Sequence, residues 1–222
     1  RHALFKETER NRNEKELNLK SQSKTRWACR KEASGSLIRR LAATVQTLLN
    51  VDESDPKLKA KCNGIINNIL TFDFVFSLLV VDDVLGLIDG LSQFLQSETL
   101  DVFAARNSAL AVIETMKKLQ SESFQSTWEK AEALSLELKA VVSSHPLFDM
   151  KEASLPRNAA FLCAKDYYKS ELHGKGINQA VCELESRFNK EHQNIICALT
   201  KVVMMPDAEA ETEATEVSEF YG

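Results

Sequence analysis

Glycine and proline are scarce in this 222-residue chain, seven and four residues respectively. That scarcity excludes a fold built on many tight turns and points to long helical elements. No signal peptide is visible: the first twenty residues, RHALFKETERNRNEKELNLK, are charged throughout and lack an apolar stretch. They also lack an initiating methionine, so the chain is expected to be a fragment of something longer. Its five cysteines (Cys29, Cys62, Cys163, Cys182 and Cys197) are odd in number and scattered. A disulfide framework is therefore not expected, and reduced thiols in an intracellular compartment are. A long uncharged apolar run is missing as well. The most apolar stretch, Phe74 to Leu95, carries Asp82, Asp83 and Asp89, which argues for a buried central helix and against a membrane span.

Enzyme signatures are absent: there is no glycine-rich phosphate loop, no serine nucleophile elbow and no HExxH string. No CxxC pair exists, and the nearest potential cluster, His173, Cys182, His192 and Cys197, matches no zinc-finger spacing. Neither a metal nor another cofactor is expected. Asp82 and Asp89 are seven residues apart and share a helix face, with Asp83 beside them and Glu183 and Glu185 near the far end. Two-metal catalysis needs carboxylates that converge. With no strands to present them at a sheet edge, these acids read better as polar helix faces, or as a pair capping a buried polar seam.

What the chain does have is charge asymmetry. The net charge is −4, yet residues 1–40 hold twelve Lys/Arg against five Asp/Glu, a net of +7. Residues 204–222 hold six acids and no base, without a hydrophobic period, and are expected to be disordered. A basic end in an otherwise acidic chain is where a polyanion binds, although charge runs also serve as plain solvated helix faces.

Apolar residues recur at helical spacing almost everywhere. Leu37, Leu41, Val45 and Leu48 form one stripe. Asp55-Pro56 reads as an N-cap followed by proline at the first helical position, and Leu58, Cys62, Ile65 and Ile69 form the next stripe. Ala109, Val112, Met116 and Leu119 mark a further helix, and Trp128, Ala131, Leu134, Leu138 and Val141 another. After the loop SSHPLFDMKEASLP, Gly174-Lys175-Gly176 reads as a break. Beyond it come the stripe Ile177, Val181, Leu184 and Phe188 and a last short one, Ile195, Ile196, Leu199 and Val202. The expected fold is mainly α, an array of seven or eight helices. Its regions are a basic helix and helical body over 1–143, a loop over 144–157, C-terminal helices over 158–203 and an acidic tail over 204–222.

The stretch LKSQSKTRWACRKEA, residues 19–33, sets Trp27 among Lys20, Lys24, Arg26, Arg30 and Lys31. Cations hold phosphates, and an indole face accepts an unstacked base, so these six residues are candidate DNA contacts. The competing reading is that Trp27 pins the first turn of its helix while the charges stay solvated.

This stretch resembles the Leu-x-x-x-x-x-Thr-Arg-Trp-x-x-Arg-x-x-Ala segment of hAT-type (hobo/Activator) transposases and their domesticated relatives, close to the zinc finger MYM-type and THAP-type repressor subgroup. RHALFKE, FDFVFSLLVVDDVLGLIDGLSQFLQSETLDV, FQSTWEKA and ELESRFN are similar to landmarks of the same family. The likeness covers about residues 1 to 190 and is specific as an ensemble. It implies a helical insertion that interrupts a ribonuclease-H-like catalytic core, with Arg26 and Trp27 at transposon-end DNA. It also implies that both catalytic aspartates lie upstream of the Arg-Trp pair. The family's Ser-Glu-Arg-x-Phe-Ser element, which carries the glutamate, does not occur here, and ESRF at Glu185–Phe188 is not it. The resemblance therefore implies a non-catalytic, nuclear, transposase-derived domain that binds DNA. Its partners would be DNA, a second copy or another transposase-derived protein, and not a membrane. The alternative expectation is a helical protein–protein or dimerisation module without DNA binding.

Overall fold

A computed structural model describes residues 27–51, 55–96, 102–157 and 159–188. Helix accounts for nearly all regular structure among them, in the order α1 (Trp27–Arg39), α2 (Leu41–Leu49), α3 (Pro56–Ile69), α4 (Phe72–Leu95), α5 (Val102–Glu122), α6 (Phe124–Val142), α7 (Ala164–Tyr167), a π-helical turn (Tyr168–Gly174) and α8 (Lys175–Arg187). The one β-type contact among them is an isolated parallel bridge between Thr71 and Lys151. It ties the segment after α6 to the start of α4: the Phe72 N–H donates to the Lys151 carbonyl, and the Lys151 N–H to the Leu70 carbonyl. The mainly α expectation holds.

Local chemistry sets the helix starts. Pro56 opens α3 because its missing N–H is one the first turn cannot use, and the Asp55 carboxylate accepts from the Leu58 N–H at 3.0 Å. At α4 the Thr71 hydroxyl accepts from the Phe74 N–H at 3.2 Å, and Asp73 places negative charge at the positive end of the helix dipole.

Helix α4 is the hub. It packs against α1, α3, α5, α6, α8 and the π-helical turn, as its apolar circumference requires. Phe72, Val75, Phe76, Leu79, Val80, Leu85 and Leu91 are all buried along it. Its first turns meet an aromatic cluster drawn from three distant segments. The Phe72 ring lies 4.8 Å from Trp128 and 5.3 Å edge-on from Tyr168, and Phe76 lies 5.4 Å edge-on from Tyr168. Edge-to-face pairs at such spacing add to the gain from burial. No helix among the described residues is long and apolar enough to cross a membrane.

Three details depart from the sequence reading. The stripe from Leu37 to Leu48 is not one helix. The chain breaks at Arg40, whose guanidinium returns to the Ser36 hydroxyl at 2.9 Å, just beyond the poorly helical run Ser34-Gly35-Ser36. On α3, Ile65 is 47% exposed and Ile66 faces the core. The Gly174-Lys175-Gly176 string does not break the chain, because the π-helical turn runs straight into α8. The wider turn crowds Gly174: a Cβ there would sit 3.1 Å from the Lys169 carbonyl oxygen, so the glycine permits the turn instead of ending the helix. The stripe at Ile195–Val202 and the acidic tail lie outside the described residues.

Candidate nucleic-acid interface

The Thr-Arg-Trp segment leads into α1, and α1 lies along α4. Trp27 is the first helical residue. Lys20, Lys24 and Arg26 lie outside the described residues, and the structure describes no side chain at Trp27. Arg30 is half-buried.

Lys31 turns inward. Its ammonium donates to Asp82 Oδ2 at 2.7 Å and to the Asp82 carbonyl at 2.9 Å. The Ser34 hydroxyl lies 2.6 Å from Asp82 Oδ1 and 3.0 Å from the Lys31 carbonyl, and its single proton serves one acceptor at a time. The lysine stem runs over Gly86, where an added Cβ would meet Lys31 Cε and Nζ at 3.5 Å, an ordinary van der Waals contact. The half-buried Asp82 carboxylate has a cation on one oxygen and a hydroxyl within hydrogen-bond reach of the other. Lys31 thus fastens α1 to α4, and its ammonium reaches a phosphate only by leaving Asp82.

Asp83 points the other way, toward α6, with the Thr127 hydroxyl 3.5 Å away. Burial holds its carboxyl above the usual range. Nearby Lys130 opposes that shift most strongly and Lys31 weakly, while Asp82 adds to it. Asp89 accepts from Gln93 one turn on, at 2.8 Å. The acids of α4 therefore serve separate contacts, with Asp82 in the polar seam between helices. Among the described residues no group of three His, Cys, Asp or Glu side chains could hold a metal ion. Glu185 pairs with Lys117 at 2.7 Å on the surface, and Glu183 lies 4.0 Å from Arg187. Cys182 is exposed, and His192 and Cys197 lie outside the described residues.

Two polar groups take buried roles that the sequence did not indicate: His173, weighed there only as a metal ligand, and Tyr168. His173 is 1% exposed, with Nε2 3.0 Å from the Ser123 hydroxyl. That hydroxyl also reaches the Leu119 carbonyl at 2.6 Å, an arrangement that suits an imidazole protonated on Nε2. Nδ1 is buried without a partner. Burial, with Lys169 nearby, pushes the ring's pKa down. Tyr168, wholly buried as a residue, donates its hydroxyl to the Asp73 carboxylate, and burial with that bond raises its pKa. His173 stands between Leu172 and Gly174 and Tyr168 beside Tyr167, so the local sequence does not mark either one, and only the fold shows what each meets.

No family model matches the chain, and no solved structure matches it. Two curated proteins do: the 52 kDa repressor of the inhibitor of the protein kinase from mouse and its counterpart from human. Each is 24% identical over 200 residues, which is 86% of this chain. The chain spans about a quarter of the length of these relatives, 26% of each.

Proposed function

We propose that this chain is a non-catalytic, hAT-transposase-derived helical domain of a repressor-like protein, holding DNA through the basic segment that enters α1. The supporting observation is the docking of α1. The Lys31–Asp82–Ser34 contacts fix the first helix on the central one, so the cations that precede it in sequence adjoin an anchored helix. Lys20, Lys24 and Arg26 contact phosphates, Trp27 offers its ring to an unpaired base, and Arg30 borders the same end. Lys31, held by Asp82, positions the helix instead. The distant likeness to repressor proteins is compatible with this role.

The domain performs no strand cleavage in this reading. Support comes from the acids of α4, which are spent on separate contacts and leave no convergent trio for two metal ions. Incubation with supercoiled DNA in Mg²⁺ or Mn²⁺ should leave it intact; metal-dependent nicking lost on Asp82→Asn would refute this. A protein–protein module without DNA contact is the second reading, favoured by the net charge of −4 and by the diversion of Lys31 to Asp82. Duplex binding that weakens steeply with salt supports the first reading, and its absence at low salt supports the second.

A further inference from the structure

Helices α4 and α8 leave between them a groove of about 690 Å³, open to solvent and mainly apolar, with Gln179, Glu183 and Arg187 on the α8 side. Val81, Val84, Ile88 and Leu95 line one wall, and Ala180 and Phe188 lie opposite. Val81 is 49% exposed in the middle of the most apolar helix among the described residues. Such a surface calls for a cover.

We propose that the groove is the docking seat of this chain's own segment from Ile195 to Met205. Four observations select that occupant. The last described residue, Phe188, is itself part of the groove wall, so the chain departs from the groove. The sequence that follows has the right chemistry: in IICALTKVVMM, nine of eleven residues are apolar, and Ile195, Ile196, Leu199 and Val202 share one face at helical spacing. Lengths agree. Eleven helical residues span about 16 Å, against about 22 Å of α4 between Val80 and Leu95. The six residues from 189 to 194 reach about 20 Å when extended, enough to reverse the chain. Finally, the segment before α1 does not fit. Residues 1–26 carry eight Lys/Arg and four Asp/Glu, with Leu4, Phe5, Leu17 and Leu19 as the large apolar side chains. Pro206 and the six acids after it end the apolar run.

A photocrosslinking residue in the full chain tests this directly. With p-benzoylphenylalanine replacing Ile88, irradiation should join position 88 to residues 195–205 of the same chain, read by mass spectrometry of the monomer band. The same probe at Ala180, on the opposite wall, guards against a folding defect from the first substitution. Leu199→Asp should reduce the yield several-fold at either position while far-UV circular dichroism is retained. A link to residues 1–26, a link to a second chain, or no link to protein at all would overturn the assignment.

Discussion

Replacing Lys31 by methionine keeps most of the side-chain stem over Gly86 but removes the ammonium that faces Asp82. The Asp82 carboxylate, 18% exposed, then keeps Ser34 as its hydrogen-bond donor. Exposed ion pairs contribute about 0–1 kcal/mol, and breaking a fully buried one costs about 3–5 kcal/mol. With the lysine side chain 32% exposed, this pair falls between those limits, and Lys31→Met should cost about 1–3 kcal/mol. Asp82→Leu alone should cost a similar amount, because it strands the cation. The double variant should cost clearly less than the sum, leaving a coupling of about 1–2 kcal/mol. Urea unfolding followed by circular dichroism measures all four proteins, with the slope m checked for constancy. The pair Lys117–Glu185, with side chains 55% and 46% exposed, is the internal control and should show a coupling under about 1 kcal/mol. If Lys31→Met leaves stability unchanged while weakening DNA binding as much as a change at Lys24 does, Lys31 is a phosphate contact and its structural assignment fails.

Other expectations follow from single side chains. Trp128 is 8% exposed in the aromatic cluster, so Trp128→Ala should cost about 3–5 kcal/mol in the same assay. The His173 pKa lies below its ordinary value in the fold, so its contribution is present above pH 6.5 and is lost as pH falls through the folded value. His173→Gln should flatten the decline in thermal stability on acidification; an unchanged profile would show that another group sets it. Asp83 has the opposite sign. Its folded pKa lies above 3.8, so stability falls as pH rises through that window, and Asp83→Asn should stabilise the chain at pH 7 but not below pH 3.8. Trp27→Ala should weaken binding to DNA containing an unpaired base by about 1–3 kcal/mol with little change in melting. A large melting shift with unchanged affinity would assign Trp27 to packing.

Much of the fold is legible in the sequence because it is local. The Asp55-Pro56 start needs three residues, and the central place of α4 follows from its apolar circumference. Ile65 and Ile66 are adjacent and equally apolar, so periodicity alone does not decide between them; the packing of α3 on its neighbours does. Gly174 misled because glycine marks both helix ends and crowded wide turns, and the backbone shows that this is the second case. The site was harder to read. Lys31 and Asp82 are 51 residues apart, and the run of cations holding Lys31 looks uniform until α1 is laid on α4. Charge spacing identifies a basic patch, but not which cation faces inward.

The central claim is that the segment before α1 holds DNA by its backbone. Fluorescence anisotropy of the full chain with a labelled duplex, titrated from 50 to 200 mM salt, tests it. Three phosphate contacts from Lys20, Lys24 and Arg26 predict a slope of about −3 in log affinity against log salt. Reversing those three charges to glutamate should remove both the slope and the binding, with unfolding unchanged. Binding that ignores salt, or survives the reversal, would contradict the account.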